Sequence, residues 1–228
     1  IINALVNAVR NGKKVTVVLE LKARFDEEAN LEWKKILEQE GVKVITGIPN
    51  MKVHAKLCLI KKRVGRKNLQ YGFVSTGNLN EKTARIYGDH CLLTSNRMIM
   101  ADANRIFNYL EKPDVAMTQL KQCKTLWVCP VGMRKGIQTL INKEILHARQ
   151  GKPASITIKV NSFSDEALIN HLYKAAQAGV GIRLIVRGIY CAIFENLKPK
   201  PPIKPHCISI VDEYLEHARV LAFHNNGH

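Results

Sequence analysis

Two short runs, His54-Ala55-Lys56 and His217-Ala218-Arg219, each set an imidazole two residues before a cation. A neutral imidazole is nucleophilic near pH 7 and can carry a phosphoryl group as a phosphoramidate, while Lys or Arg offsets the charge on that group's oxygens. In a strand, residues i and i+2 share a face, so His54 and Lys56 can reach one ligand while Ala55 and Leu57 point the other way. Further on, Ser75-Thr76-Gly77-Asn78 reads as the end of a strand opening into a helix, where free backbone N–H groups and hydroxyls can hold an anionic oxygen. His54, Lys56 and Asn78 would then converge on one phosphoryl group. Phosphoryl transfer asks for little other covalent help, since it depends mostly on position and electrostatics. The plain alternative for either histidine is a satisfied, half-buried strand residue.

The elements that must position these groups alternate. Helical periodicity covers 1–10, an apolar β-branched run 15–21, a second helix 26–40 closed by Gly41, and a short strand 42–46. That is βαβ order, which calls for a mostly parallel, covered sheet. Strands over 53–60 and 69–76 flank the basic loop 61–67 as a hairpin with a long tip. A short helix, a strand near 91–94 and a helix over 96–111 follow, and the stretch 112–130 reads as irregular. The alternation then restarts with a helix over 133–150, a strand 155–160, a helix 165–178 closed by Gly179 and a strand 182–187. A Pro- and Lys-rich connection (198–205) and strands near 208–211 and 219–223 complete it.

An internal repeat supports two α/β domains. His54 lies 30 residues after Arg24 and His217 lies 30 residues after Arg187, each Arg near the end of an apolar strand that follows a helix closed by glycine. The expected division is a first domain over 1–115 and a second over 123–228. Both ends of the chain look cut from something longer, so the first domain reads as truncated at its start and the second at its end. Only 11 residues follow His217, whereas 24 separate His54 from Asn78.

Composition narrows the partners. The chain of 228 residues has 35 Lys and Arg against 19 Asp and Glu, a formal charge of +16, which favours polyanions without choosing among nucleic acid, anionic membrane and polyphosphate. No run of 18 apolar residues exists, so nothing spans a membrane as a helix, and the reading is cytoplasmic, with a peripheral membrane location compatible. The six cysteines include no Cys-x-x-Cys pair and read as buried thiols of a reducing compartment. The acidic run Asp26-Glu27-Glu28 reads as complementing a helix dipole before it reads as a metal site.

His-x-Lys followed by Gly-x-Asn resembles the signature of the phospholipase D superfamily, in which two half-sites meet and one histidine is the covalent nucleophile. Where that pattern has an acid after the lysine, this chain has Ile60 followed by Lys61. Longer runs are similar to polyphosphate kinase over nearly the whole chain: 20–30 (ELKARFDEEAN), 52–56 (KVHAK), 76–78 (TGN) with 81–87 (EKTARIY), and 186–189 (VRGI) with 209–211 (SIV) and 214–217 (YLEH). The resemblance implies two phospholipase D-like α/β domains related by a pseudo-twofold repeat, the second truncated. It also implies reversible transfer of the ATP γ-phosphate to inorganic polyphosphate through a phosphohistidine at His54, with Mg²⁺ present, and a homo-oligomer in the intact protein. Tyr87, Arg187 and His217 match residues that contact the nucleotide and its phosphates, and Arg24 matches a position linked with the magnesium site. A guanidinium has no acceptor, so Arg24 would meet a metal only through a shared phosphate or its carbonyl.

Read without the resemblance, Tyr87 could be a core aromatic, Arg187 a strand-end arginine paired with a carboxylate, and the runs at 61–67 and 198–204 solvated loops. Three functions compete: the kinase, a phospholipase D-like phosphodiesterase or nuclease, and a basic module that binds polyanions without catalysis. A phosphodiester expels an alkoxide that needs an acid, whereas ADP leaves as a phosphate whose last ionisation is near pH 6. The absence of a reader motif, with 6% aromatic residues, disfavours a specific nucleic-acid partner. If the halves repeat one half-site, His54 and His217 should serve one phosphoryl group from about 5–9 Å apart.

Overall fold

The first βαβ unit forms where the periodicity puts it, with shorter strands. Helix α1 (Ile2–Arg10), strand β1 (Thr16–Val18), helix α2 (Glu27–Gln39) and strand β2 (Lys43–Ile45) follow in order, and β1 pairs in parallel with β2 through Val17↔Val44. Glu27 and Glu28 occupy the first turn of α2, where they complement its dipole. The stop of α2 shows why Gly41 is there: its φ is +83°, its N–H reaches the Glu38 carbonyl, and the Val42 N–H reaches that of Leu37. Leu37 and Val42 are buried together, so this left-handed stop also seeds the local core. The computed structural model describes residues 1–21, 27–210 and 213–227.

The chain divides into two compact units, Ile1–Gly72 with Thr94–Leu126, and Phe73–Leu93 with Trp127–His228. The hairpin differs from expectation. Strands β3 (Lys56–Val64) and β4 (Lys67–Ser75) run through the basic stretch, which leaves Gly65 and Arg66 as the tip, with Gly65 at φ +58°. Charged side chains had suggested a loop, but an exposed ladder needs backbone hydrogen bonds and not apolar side chains. Helix α3 (Glu81–Ala84) and strand β5 (Tyr87–Gly88) belong to the second unit; strand β6 (Cys91–Thr94) leads back to the first, which continues with helix α4 (Arg97–Glu111). The expected irregular stretch after α4 begins instead with helix α5 (Pro113–Lys121), started by proline at its first turn, where the missing N–H has no partner to lose.

Beyond α5, the buried Asp102 of α4 ties down the chain. One carboxylate oxygen accepts from the backbone N–H groups of Lys124, Thr125 and Leu126 at 2.7–3.0 Å, and the other accepts from Arg105 at 2.7 Å. Burial alone would push this carboxyl up, but the three N–H groups and Arg105 together hold it below its usual value.

In the second unit, helix α6 (Met133–Arg149), strand β7 (Ser155–Val160), helix α7 (Glu166–Gln177) and strand β8 (Gly181–Val186) match the expected segments closely. Gly179, at φ +92°, ends α7 with the same pair of bonds that ends α2. Strand β9 (His206–Ile208) lies beside β8, strand β10 (Leu215–Glu216) pairs elsewhere, and β11 (Val220–Phe223) runs antiparallel on the other edge, giving the order β11-β7-β8-β9. Ile156, Leu172, Val180, Ile182 and Leu184 form its centre. The six cysteines are free, and the expectation that they are buried is wrong. Cys91, Cys129, Cys191 and Cys207 are exposed and the other two half-buried, because short edge strands and loops carry most of them. No helix among the described residues is long and apolar enough to cross a membrane.

Candidate active site

His217 owes its position to a pairing that joins two distant segments. Leu215 and Glu216 of β10 lie in parallel register with Tyr87 and Gly88 of β5. The Gly88 carbonyl then accepts from the N–H groups of His217 (3.3 Å) and Ala218 (2.9 Å). Lys159 secures the far side by pairing with Glu216 at 2.6 Å and donating to the Ala218 carbonyl at 3.2 Å. The segment therefore has little freedom, and His217 is left 7% exposed.

Its ring is oriented by Asp89, whose Oδ1 lies 2.7 Å from Nδ1. An ionised carboxylate only accepts, so Nδ1 carries the proton and Nε2 is left for a ligand. The same Oδ1 accepts from the Thr76 hydroxyl at 2.7 Å, and Thr76 in turn accepts from the His90 N–H at 3.0 Å. Gly77 is required by this packing, since a Cβ there would stand 2.7 Å from Asp89 Oδ2. Tyr87 covers the imidazole, its ring centre 4.9 Å away and tilted by 50°. A histidine held by a carboxylate and roofed by a tyrosine can contact a phosphate oxygen or move a proton at Nε2. The sequence reading missed Asp89. A signal existed, since Asp89 is the sole carboxylate between Glu81 and Asp102 and sits in an apolar, strand-like context.

Arg187 follows the carboxyl end of β8, where ligands of parallel α/β sheets gather. Its Nε donates to the Asn161 side-chain oxygen at 3.2 Å and it is half-buried. The alternative of a carboxylate partner is not met among the described residues, so its charge is open to an anion.

In the first unit, His54 is exposed and precedes β3 instead of lying in it. The expected meeting with Lys56 holds nonetheless, because extended chain keeps the period of two. The Lys56 ammonium lies 3.1 Å from Nδ1 and 3.2 Å from Nε2, and donates to the His54 carbonyl at 2.8 Å. A neutral imidazole has a single lone-pair nitrogen, so Lys56 can donate to only one of the two, and that nitrogen becomes free to attack when the ammonium turns to a phosphate oxygen. Glu20 anchors the approach by accepting from the Val53 N–H at 3.0 Å. Asn78, in the second unit, is exposed and precedes the Asn80 cap of α3, so the segment 75–78 does not form a helix N-terminus as expected. Arg24 lies outside the described residues.

Among the described residues no group of three His, Cys, Asp or Glu could hold a metal, and the nearest carboxylate to His217 is already engaged by His217 and Thr76. These residues do not form a protein-side Mg²⁺ cage.

The family models described as polyphosphate kinase C-terminal domain 1 and C-terminal domain 2 match residues 1–116 and 126–228. The polyphosphate kinase of Vibrio cholerae is 47% identical over 227 residues, which is 100% of this chain and 32% of that protein. That of Escherichia coli K12 is 44% identical over the same shares. The crystal structure of polyphosphate kinase from Porphyromonas gingivalis matches 99% of this chain and 36% of its own, at 40% identity and a TM-score of 0.82. The chain thus spans about a third of the length of the curated relatives it matches.

Proposed function

The chain belongs to the polyphosphate kinase family, and on that premise we propose that it is the part of such an enzyme in which the γ-phosphate of ATP passes to His54 and then, reversibly, to inorganic polyphosphate. The observation that carries the nucleophile is the exposed His54 ring with the Lys56 ammonium against it. The ring nitrogen attacks the γ-phosphorus, a nitrogen–phosphorus bond forms, and the bond to the bridging oxygen breaks with ADP leaving as a phosphate that needs no proton. A terminal oxygen of the polyphosphate chain then attacks the same phosphorus, and the electron pair of the nitrogen–phosphorus bond returns to the imidazole.

In this reading Tyr87, Arg187 and His217 contact the nucleotide and its phosphates, with Asp89 as the positioning residue of His217. Lys56 and Asn78 meet the transferring group, and Arg24 would meet a metal only through a shared phosphate or its carbonyl. The matched ranges support a first catalytic domain over 1–115 and a second over 123–228 as repeats of one phospholipase D-like half-site. Assembly as a homo-oligomer and a cytoplasmic location, which six free cysteines suit, complete the proposal.

The test uses the intact protein with γ-labelled ATP and Mg²⁺. An acid-labile, alkali-stable label on the peptide bearing His54 is expected. Polyphosphate synthesis by folded enzyme with no histidine label would remove the mechanism.

A further inference from the structure

From Gly41 to Asn80 the chain carries eight Lys and Arg and no Asp or Glu, so forty residues hold half of the net +16. Five of the eight, Lys61, Lys62, Arg63, Arg66 and Lys67, stand around the tip of the β3–β4 hairpin, and all five are exposed. None of the ion pairs found among the described residues includes one of them. Lys61 is tied only to the side-chain oxygen of Asn104, a neutral acceptor that leaves its charge in place.

The geometry concentrates this charge. Because the tip is only Gly65 and Arg66, the cations sit on a paired ladder whose shape is set before any ligand arrives. At about 3.3 Å per residue and about 4.8 Å between strands, the five occupy a patch roughly 13 Å by 5 Å. Neighbouring charges are closer than the Debye length of about 8 Å, so their potentials add. Alternation along β3 sends Lys61 and Arg63 to one face and Lys62 to the other. Positive potential therefore surrounds the arm, which suits a linear polyanion better than a flat membrane. The exposed aromatic of the arm is Tyr71 alone, too little of a stacking platform for single-stranded nucleic acid. At its base, β3 begins with Lys56 against His54, roughly 20 Å of strand from Lys62.

We propose that this hairpin is a tether for a long polyanion, gripping the chain at a distance from the end that reacts. Resting on the transfer at His54, that polyanion is the polyphosphate acceptor, and the tether makes the enzyme favour long chains over short ones.

The test compares the intact protein with its K62Q/R63Q/R66Q/K67Q variant, none of whose changes touches the reacting groups. Direct binding of long polyphosphate without ATP should weaken on the order of tenfold or more, and the slope of log affinity against log salt should shrink by about 3, near 0.7 per lost contact. KM should rise for long chains while triphosphate as acceptor and the His54 label from ATP stay unchanged. Unaltered long-chain binding in folded variant overturns the proposal, as does an equal loss for short and long acceptors. So does an equal effect from K198Q/K200Q/K204Q in the other basic loop, which would reduce the finding to net charge. Tighter wild-type binding to single-stranded DNA or to anionic vesicles at the same salt would reassign the arm. If wild-type protein takes no histidine label yet the variant loses polyphosphate binding, the tether stands and the transfer at His54 falls.

Discussion

The two histidine sites are built in opposite ways. His54 is exposed, and Lys56, two residues away in an extended segment, lies against its ring. His217 is almost buried, and its neighbours Asp89 and Tyr87 come from a segment 128 or more positions earlier. A phosphoryl carrier, the role proposed for His54, must be reached by a donor and then by an acceptor, so it gains from standing open. A group that only contacts phosphate or moves a proton gains from being held in one tautomer and one orientation.

The largest effect expected from this contrast is on activity. His54→Ala should reduce labelling and synthesis to background while leaving thermal stability within about 0.5 kcal/mol, as for an exposed side chain. Retained synthesis would break the comparison outright. His217→Ala should lower turnover on the order of 100-fold yet still permit some label on His54, because ADP needs no acid. Complete loss of label on folded protein would give His217 a larger part.

Asp89→Asn sharpens the second site. The amide cannot serve both His217 Nδ1–H and the Thr76 hydroxyl as the carboxylate does, and turnover should fall by about 10–100-fold. A shifted pH profile of turnover, with the melting temperature nearly kept, distinguishes tautomer control from plain structural damage. Gly77→Ala acts on the same carboxylate by crowding and should destabilise by about 1–3 kcal/mol. Since His54 does not depend on that packing, its label should persist in the variant below its melting point.

The smallest effect on chemistry belongs to Asp102→Asn, expected to cost about 2 kcal/mol of stability. Its folded carboxyl titrates below the ordinary value near about 3.9, so the stabilisation is present above that value and is lost as pH falls through the lower folded one. Thermal unfolding from pH 6 down to pH 2.5 should show the gap between wild type and variant closing in acid. A gap that stays constant would mean that the carboxylate's charge is not what binds Lys124, Thr125 and Leu126.

Local physics made much of this legible in the residues alone. The stops of α2 and α7 follow from a glycine placed where only a left-handed residue can turn the chain, and Lys56 meets His54 because extended backbone repeats every two residues. Strands β7 and β8 show themselves by alternation, with Ile156 and Ile158, and Ile182, Leu184 and Val186, buried between less buried neighbours, because one face of each strand carries most of the core. What tertiary structure decided has no local period. β5 and β10 are two residues each, too short to show alternation, yet their pairing brings Asp89 and Tyr87 to His217. The hairpin's charged stretch is held as strand by its partner strand and not by its own side chains, so its cations read as loop until the ladder is seen. Sequence offered the groups whose chemistry suits phosphoryl transfer. Long-range backbone pairing, which depends on hydrogen bonds that every residue but proline can make, decided which carboxylate would hold the second imidazole.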